Sequence, residues 1–310
     1  MNKWSGTWSL PLLLFLGTLQ WLHAQDADWW RNNVGWDGIT PYHQYLKLTA
    51  AGMGPNALPI PELHQQWDTT SSFTLSAASH HRPGETTVNS RLDLRWQAHP
   101  RFRLRVHLVP LEWYSTSHAL KTERRIHFLS YDHQWAGGDI YVESSVRLPV
   151  HWTFGLQSEI RAGIKTASGT NLGAARYTDT PGYFFDVDVY RTFGDRRQFD
   201  WEAMLGFYAY QTYQPGFRQN DCLLYGASIG WHNARLALRS TIRGYCGYFQ
   251  DGDCPVLGMM EMRWGKRFRP WQGILQVSAG LYDWPFTSVQ IGIRRDLFLA
   301  MSDQGEQARQ

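Results

Sequence analysis

Phe102-Arg-Leu-Arg-Val-His-Leu108 places an apolar residue at every even position and a basic residue at every odd one. A period of two is the mark of a β-strand with one apolar and one polar face. The stretch Trp152-Thr-Phe-Gly-Leu-Gln-Ser-Glu-Ile-Arg-Ala-Gly-Ile164 repeats it, with Gln157, Glu159 and Arg161 opposite an almost wholly apolar even face. Working outward, the alternation draws twelve segments, at about 70–80, 86–98, 101–112, 138–148, 151–165, 182–192, 198–211, 221–232, 234–246, 256–265, 271–283 and 286–299. Many are longer than the usual 5–6 residues of globular strands and approach the length of a tilted bilayer-crossing strand.

The connections decide what these strands build. Short ones near His99-Pro100, 148–150, 194–197, His232-Asn233 and 267–270 alternate with longer ones across 113–137, 166–181, 212–220 and 247–255. Short turns at one end and long loops at the other are the habit of outer-membrane barrels. Aromatic residues gather at strand ends (Trp113, Tyr183, Trp201, Trp231, Trp264, Trp271), as interfacial girdles require. The expected fold is all-β: a transmembrane antiparallel up-and-down β-barrel of about 12 strands with an N-terminal proline-rich extension. An even strand number puts both chain ends on the short-turn, periplasmic side. Arg295 falls on the apolar face of the last strand and is expected to snorkel at the rim.

Composition agrees. Charged residues make up 18% of the 310-residue chain against roughly 25% in an ordinary soluble domain, while aromatic residues reach 15%. A mean hydropathy of −0.43 with so few charges means that apolar residues are interleaved with polar ones. Helical membrane spans of about 20 apolar residues are thereby excluded, and so is a disordered chain. The net charge of +3 is too mild to imply nucleic acid.

Four regions follow. Residues 1–24, with Lys3, the apolar run Leu10–Leu16 and Leu22-His23-Ala24, read as a signal peptide that directs export. Residues 25–69 are proline-rich: Pro55, Pro59 and Pro61, with Asn56 and Glu62, enforce an extended path. That segment reads either as a plug threaded into the lumen or as a periplasmic arm that docks a partner. The barrel occupies 70–300, and a polar tail 301–310.

The polar faces line the lumen with charges of both signs. A turn centred on Gly194 would set Asp188 opposite Asp200 and Asp186 opposite Glu202, four carboxylates that repel one another. The strand beyond the next one carries Arg235, Arg239 and Arg243. Two strand spacings, about 9.6 Å, lie within near reach of a long arginine passing over Gly226, Ser228 and Gly230. A carboxylate–guanidinium network across the intervening strand is expected; a cation site and catalytic carboxylates are the alternatives. Cys222, Cys246 and Cys254 allow a Cys222–Cys246 or a Cys246–Cys254 disulfide at the outer end, and their spacing fits no zinc pattern. No outward His stands near the outward Ser144 or Ser158, so no lipase-like triad forms. A rim hydrolase drawing on Asp132-His133 or His80-His81 is the enzymatic alternative, and Asp251-Gly-Asp253 reads as a plain turn.

The motifs Gly54-Pro-Asn-Ala-Leu-Pro-Ile-Pro-Glu62, Lys165-Thr-Ala-Ser-Gly169 and Ala175-Arg-Tyr-Thr-Asp-Thr-Pro-Gly-Tyr-Phe-Phe-Asp186 resemble those of an outer-membrane β-barrel protein family of Bacteroidota. Gly206–Thr212 and Gln219–Gly226 add to the likeness, which spans most of the chain after residue 24. The resemblance implies an outer-membrane location, and no activity or catalytic residue comes with it. Lys165, Arg176 and Asp179, on an expected extracellular loop, are the candidate loop site. The functional expectation is a porin-like narrow passive channel, or a binding protein, for small polar solutes. A structural or accessory subunit of an outer-membrane assembly is the alternative. No cofactor, metal or nucleic acid is expected. The expected partners are outer-membrane lipid and lipopolysaccharide, with a small polar solute or another envelope protein.

Overall fold

The computed structural model describes residues 28–64, 70–127, 132–150, 153, 156–194, 198–265 and 270–298. The signal peptide at 1–24 and the tail at 301–310 lie outside the described residues. So do residues 151, 152, 154 and 155, where the fifth strand was expected to begin; the described strand starts at Gln157.

The order is α1 (residues 28–34), β1 (Ser71–Arg82), β2 (Glu85–His99), β3 (Phe102–Thr116), α2 (His118–Arg124), β4 (His133–Ala136), β5 (Ile140–Arg147), β6 (Gln157–Lys165), β7 (Gly182–Phe193), β8 (Phe199–Gln214), β9 (Phe217–His232), β10 (Leu236–Cys246), β11 (Val256–Trp264), β12 (Trp271–Tyr282) and β13 (Thr287–Phe298). Neighbouring strands pair antiparallel, and β1 bonds both β2 and β13, so the sheet closes. β4 pairs with Glu112–Ser115 of β3 and β5 with Phe102–Leu108 of the same strand. These are two pieces of one broken strand, and the barrel has twelve strand positions.

The break has a cause in β3. Ser90 of β2 pairs with Leu111 and Leu92 with Leu108, so Val109 and Pro110 together oppose one residue. A proline has no N–H for the ladder and is tolerated at such a bulge. The extra residue exchanges the two faces of β3: Arg103 and Arg105 point inward below it, Glu112, Tyr114 and Thr116 above it.

The outward face is apolar nearly throughout. Leu205, Ile229 and Met260 are 62%, 68% and 70% exposed, with Leu75, Ile164, Ile242, Ile291 and Ile293 beside them. A belt of this kind is stable against lipid and not against water. Among the described residues no helix is long and apolar enough to cross a membrane; the crossing is made by strands. Arg295 lies outward with its guanidinium 5.2 Å from the Trp271 ring centre, a cation–π contact near the short-turn rim.

Three expectations are corrected. The connection expected across 212–220 is a two-residue turn at 215–216, where Gly216 takes a φ of +79° that its lack of a side chain permits. The β7–β8 hairpin closes at Phe193 opposite Phe199, two stacked rings, rather than around Gly194. Its register therefore moves by four residues: Asp186 faces Gly206, Asp188 faces Met204, Asp200 faces Thr192 and Glu202 faces Tyr190. Finally, residues 28–44 sit at the long-loop end, not at the short-turn end. Trp30 donates to the Arg125 carbonyl at 3.2 Å and packs on His127, while Tyr42 and His43 meet His127 and Tyr213.

Candidate functional site

From that cap the chain runs down the inside of the barrel. Leu46, Leu48, Met53, Leu58, Ile60 and Leu63 are buried against Phe184, Met204, Tyr208, Tyr210, Leu224 and Tyr245 on β7–β10. The barrel's apolar core is thus made between the N-terminal segment and one side of the wall. Tyr210 Oη lies 3.3 Å from the Leu48 carbonyl, and Tyr245 Oη donates to that of Leu58. Pro55, expected on an extended path, instead sits in a turn that Ala57 N closes on the Gly54 carbonyl at 3.2 Å. Pro59 and Pro61 lie in the turn-free stretch 59–64, whose carbonyls and polar side chains are left to bond the wall.

Polar anchors follow one another down the segment. At the top, Gly54 N donates to the Ala175 carbonyl at 2.8 Å, and a Cβ on Gly54 would lie 2.7 Å from the Arg176 guanidinium carbon. Asn56 Nδ2 donates to Glu112 at 2.6 Å and to Asn89 at 3.2 Å. Lower down, Glu62 lies 2.9 Å from Arg91 and 2.7 Å from Arg105. Burial alone would raise the Glu62 carboxyl, but Arg91 and Arg105 hold it well below the usual range. At the foot, His64 Nε2 is 2.7 Å from Asp186 and Nδ1 2.8 Å from Glu159. Burial and Arg161 act to lower this imidazole, yet Glu159 and Asp186 outweigh them and raise it to about 9.

Of the seven residues expected to form one network, ion pairs join three, Asp200, Glu202 and Arg239. Arg239 bridges Asp200 and Glu202, each at 2.7 Å, and passes over Ser228 and Gly230 of β9 to do so. Gly230 leaves room for this: a Cβ there would stand 2.6 Å from an Asp200 oxygen and displace that carboxylate. Asp186 belongs instead with Arg161, at 2.8 Å, and with His64. Asp188 is fully buried opposite Glu159, and neither of its oxygens meets a donor among the described residues. Arg235 is exposed in the β9–β10 turn, and Arg243 lies deeper in the lumen.

The candidate loop site is also dispersed. Lys165 is buried, 2.7 Å from Asp139 and 2.8 Å from Thr178. Arg176 is buried between Glu85 and Glu112, donates to Thr87 and lies 4.4 Å above the Tyr114 ring. Asp179 alone is exposed. The two cations fasten the 166–181 loop into the mouth and present no charge to an outside ligand. Cys246 and Cys254 form a disulfide that closes the β10–β11 loop. Cys222 is a buried free thiol, because Cys246 stands opposite Leu223. Asp253, read as part of a plain turn, reaches inward to Tyr210 at 2.8 Å and Asn220 at 2.7 Å.

Sequence reasoning passed over Glu85, Glu112, His64 and Arg124, which is buried 2.7 Å from Glu85. Carrying the alternation of 102–108 on to Glu112 points it outward; the bulge at Val109-Pro110 turns it inward, and Pro110 is the residue that signals the bulge. Glu85 lay just outside the expected strand, and nothing local distinguishes His64 from a solvated histidine.

The segment does not fill the lumen evenly. Opposite it, the inward residues are small or uncharged: Ser76 and Ala78 on β1, Gln276 and Ser278 on β12, Ser288 and Gln290 on β13. Between them and Pro59–Glu62 remains a cavity of about 120 Å³ that also touches Arg91, His107, Tyr141 and Arg243.

No family model matches the chain, and no curated protein matches it in sequence. Solved barrels do match in shape. The COG4313 outer membrane channel from Pseudomonas putida F1 aligns at a TM-score of 0.53 and 10% identity, covering 77% of this chain and 100% of that one. A KdgM porin aligns at 0.46 and 10% identity (73% and 99% covered), and a NanC porin at 0.46 and 10% (73% and 100%). At these identities the likeness is one of fold.

Proposed function

We propose that the protein is an outer-membrane channel for small polar solutes, held closed by its own N-terminal segment. The uneven filling of the lumen carries this reading. One half is packed by residues 46–64, and the other keeps a cavity of about 120 Å³ beside the segment, where Gln276, Ser278 and Gln290 meet apolar neighbours. The segment's grip in the lower lumen adds buried ion pairs at Glu62 and His64 to the apolar contacts of Ile60 and Leu63, so removing those two charges should loosen it. The channel architecture of the Pseudomonas putida barrel supports the reading at the level of fold. The lipid-facing belt and the motif resemblance extend it to a Bacteroidota outer membrane with lipopolysaccharide outside, reached by export through residues 1–24. The chemistry is non-enzymatic. Balanced charge in the lumen favours neutral or zwitterionic polar solutes over one class of ion.

The same ion pairs favour a second reading, a sealed accessory subunit that docks another envelope protein. Liposome swelling separates the two. Vesicles holding a variant with Glu62→Gln and His64→Gln are expected to swell in glycine or a small sugar faster than vesicles holding the parent. Equal, background swelling of both would sink the channel and leave the accessory role.

A further inference from the structure

One charged group in the cavity is left over by the ion pairing. Arg243, inward on β10, has Nε and Nη1 buried without an acceptor among the described residues, and its side chain lines the cavity. Its Cβ packs against Gly226, over which Leu63 of the N-terminal segment also closes. The carboxylates that line the same cavity are already committed. Glu62 is held by Arg91 and Arg105, Glu143 by Arg105 at 3.4 Å and Arg161 at 3.2 Å, and Asp139 by Lys165. The neutral groups across the cavity, Gln276, Ser278 and Gln290, are polar but uncharged.

A buried guanidinium without an acceptor is costly, and whatever supplies one gains accordingly. We propose that Arg243 anchors a binding site for the carboxylate of a small organic acid. A guanidinium offers paired N–H donors in a planar fork that matches the two oxygens of a carboxylate. The charges favour a monoanion: one negative charge balances one guanidinium. A phosphate dianion would bring surplus negative charge beside Glu62, Glu143 and Asp139. The cavity of about 120 Å³ has room for several water-sized groups, so the acid is a small one. Its hydroxyl or amide substituents would face Gln276, Ser278 and Gln290. Binding here requires no passage through the barrel, so the site stands or falls separately from the channel reading.

The test uses the full chain in detergent micelles, with ¹³C-acetate as probe and acetamide as its uncharged counterpart, followed by saturation-transfer NMR. Acetate is expected to bind saturably and at least tenfold more tightly than acetamide. Arg243→Gln should weaken acetate at least tenfold, Arg243→Lys should fall between, and Arg235→Gln, in the exposed turn, should bind as the parent does. Inorganic phosphate should compete more weakly than acetate. Parental acetate affinity in Arg243→Gln, equal binding of acetate and acetamide, or tighter binding of phosphate would each overturn the proposal. If Arg243→Gln yields no folded barrel on unheated gels, the acetate–acetamide pair on the parent and on Arg243→Lys decides the matter.

Discussion

Glu62 Oε2, on the segment inside the barrel, stands 2.7 Å from Arg105 Nη2 on β3. This contact ties a chain stretch that crosses no membrane to a strand that does. Arg105 also holds Asp93 and Glu143, so Glu62 completes a shared network and is not an isolated pair. Glu62→Gln keeps the shape and removes the charge. Charge-assisted hydrogen bonds contribute about 1.5–3 kcal/mol, so loss of segment docking by roughly 10- to 100-fold is expected. Protease sensitivity of residues 45–64 in the folded barrel measures it; unchanged protection would show that the apolar contacts alone hold the segment.

His64 makes that docking dependent on pH. Its folded value of about 9 stands above the unfolded value of about 6.5. The stabilisation from the imidazolium is therefore complete below about pH 6.5 and is lost as pH rises through about 9, a contribution on the order of 3 kcal/mol. Urea midpoints of the parent should fall between pH 6.5 and 9.5 more steeply than those of His64→Gln. Parallel curves would mean that His64 is neutral at both ends.

Arg239 is the only cation within ion-pair distance of both Asp200 and Glu202 among the described residues. Arg239→Met leaves two buried carboxylates side by side on β8 without their guanidinium, and breaking such a pair costs about 3–5 kcal/mol. Arg235→Met, in the exposed turn, should change stability by about 0.5 kcal/mol or less. Unfolding in urea compares them, and equal midpoints would show that the network carries no stability.

The cysteines give a count. With Cys246 and Cys254 bonded and Cys222 buried, maleimide should label no thiol in the native barrel and one per chain after denaturation without reductant. Reductant should raise the count to three. Cys246→Ser with Cys254→Ser removes a cross-link between residues eight apart and should cost about 2–3 kcal/mol. One label in the native state would place Cys222 in reach of solvent.

How far these features were legible in the sequence varies with their range. Alternation within a strand depends only on which solvent each face meets, so twelve strands and the inward position of Arg239 could be read from residues alone. Pairing depends on where a hairpin closes. The stacked Phe193 and Phe199 moved the β7–β8 closure past Gly194, so Asp186 left the expected carboxylate patch and joined Arg161. A single bulge was enough to hide Glu112, and with it the partner of Arg176. His64 was illegible for a different reason: its meaning comes from Glu159 and Asp186, which are 95 and 122 residues away.

The central claim is that residues 45–64 close a polar passage. Single-channel recording in planar bilayers tests it most directly, comparing the parent with a variant lacking residues 45–64 whose folding is checked by unheated gel mobility. The parent should be silent or open only briefly, the shortened chain should give sustained steps, and Glu62→Gln should raise the parent's opening frequency. Sustained steps of equal size in the parent and the shortened chain, or silence in the folded shortened chain, would contradict the account.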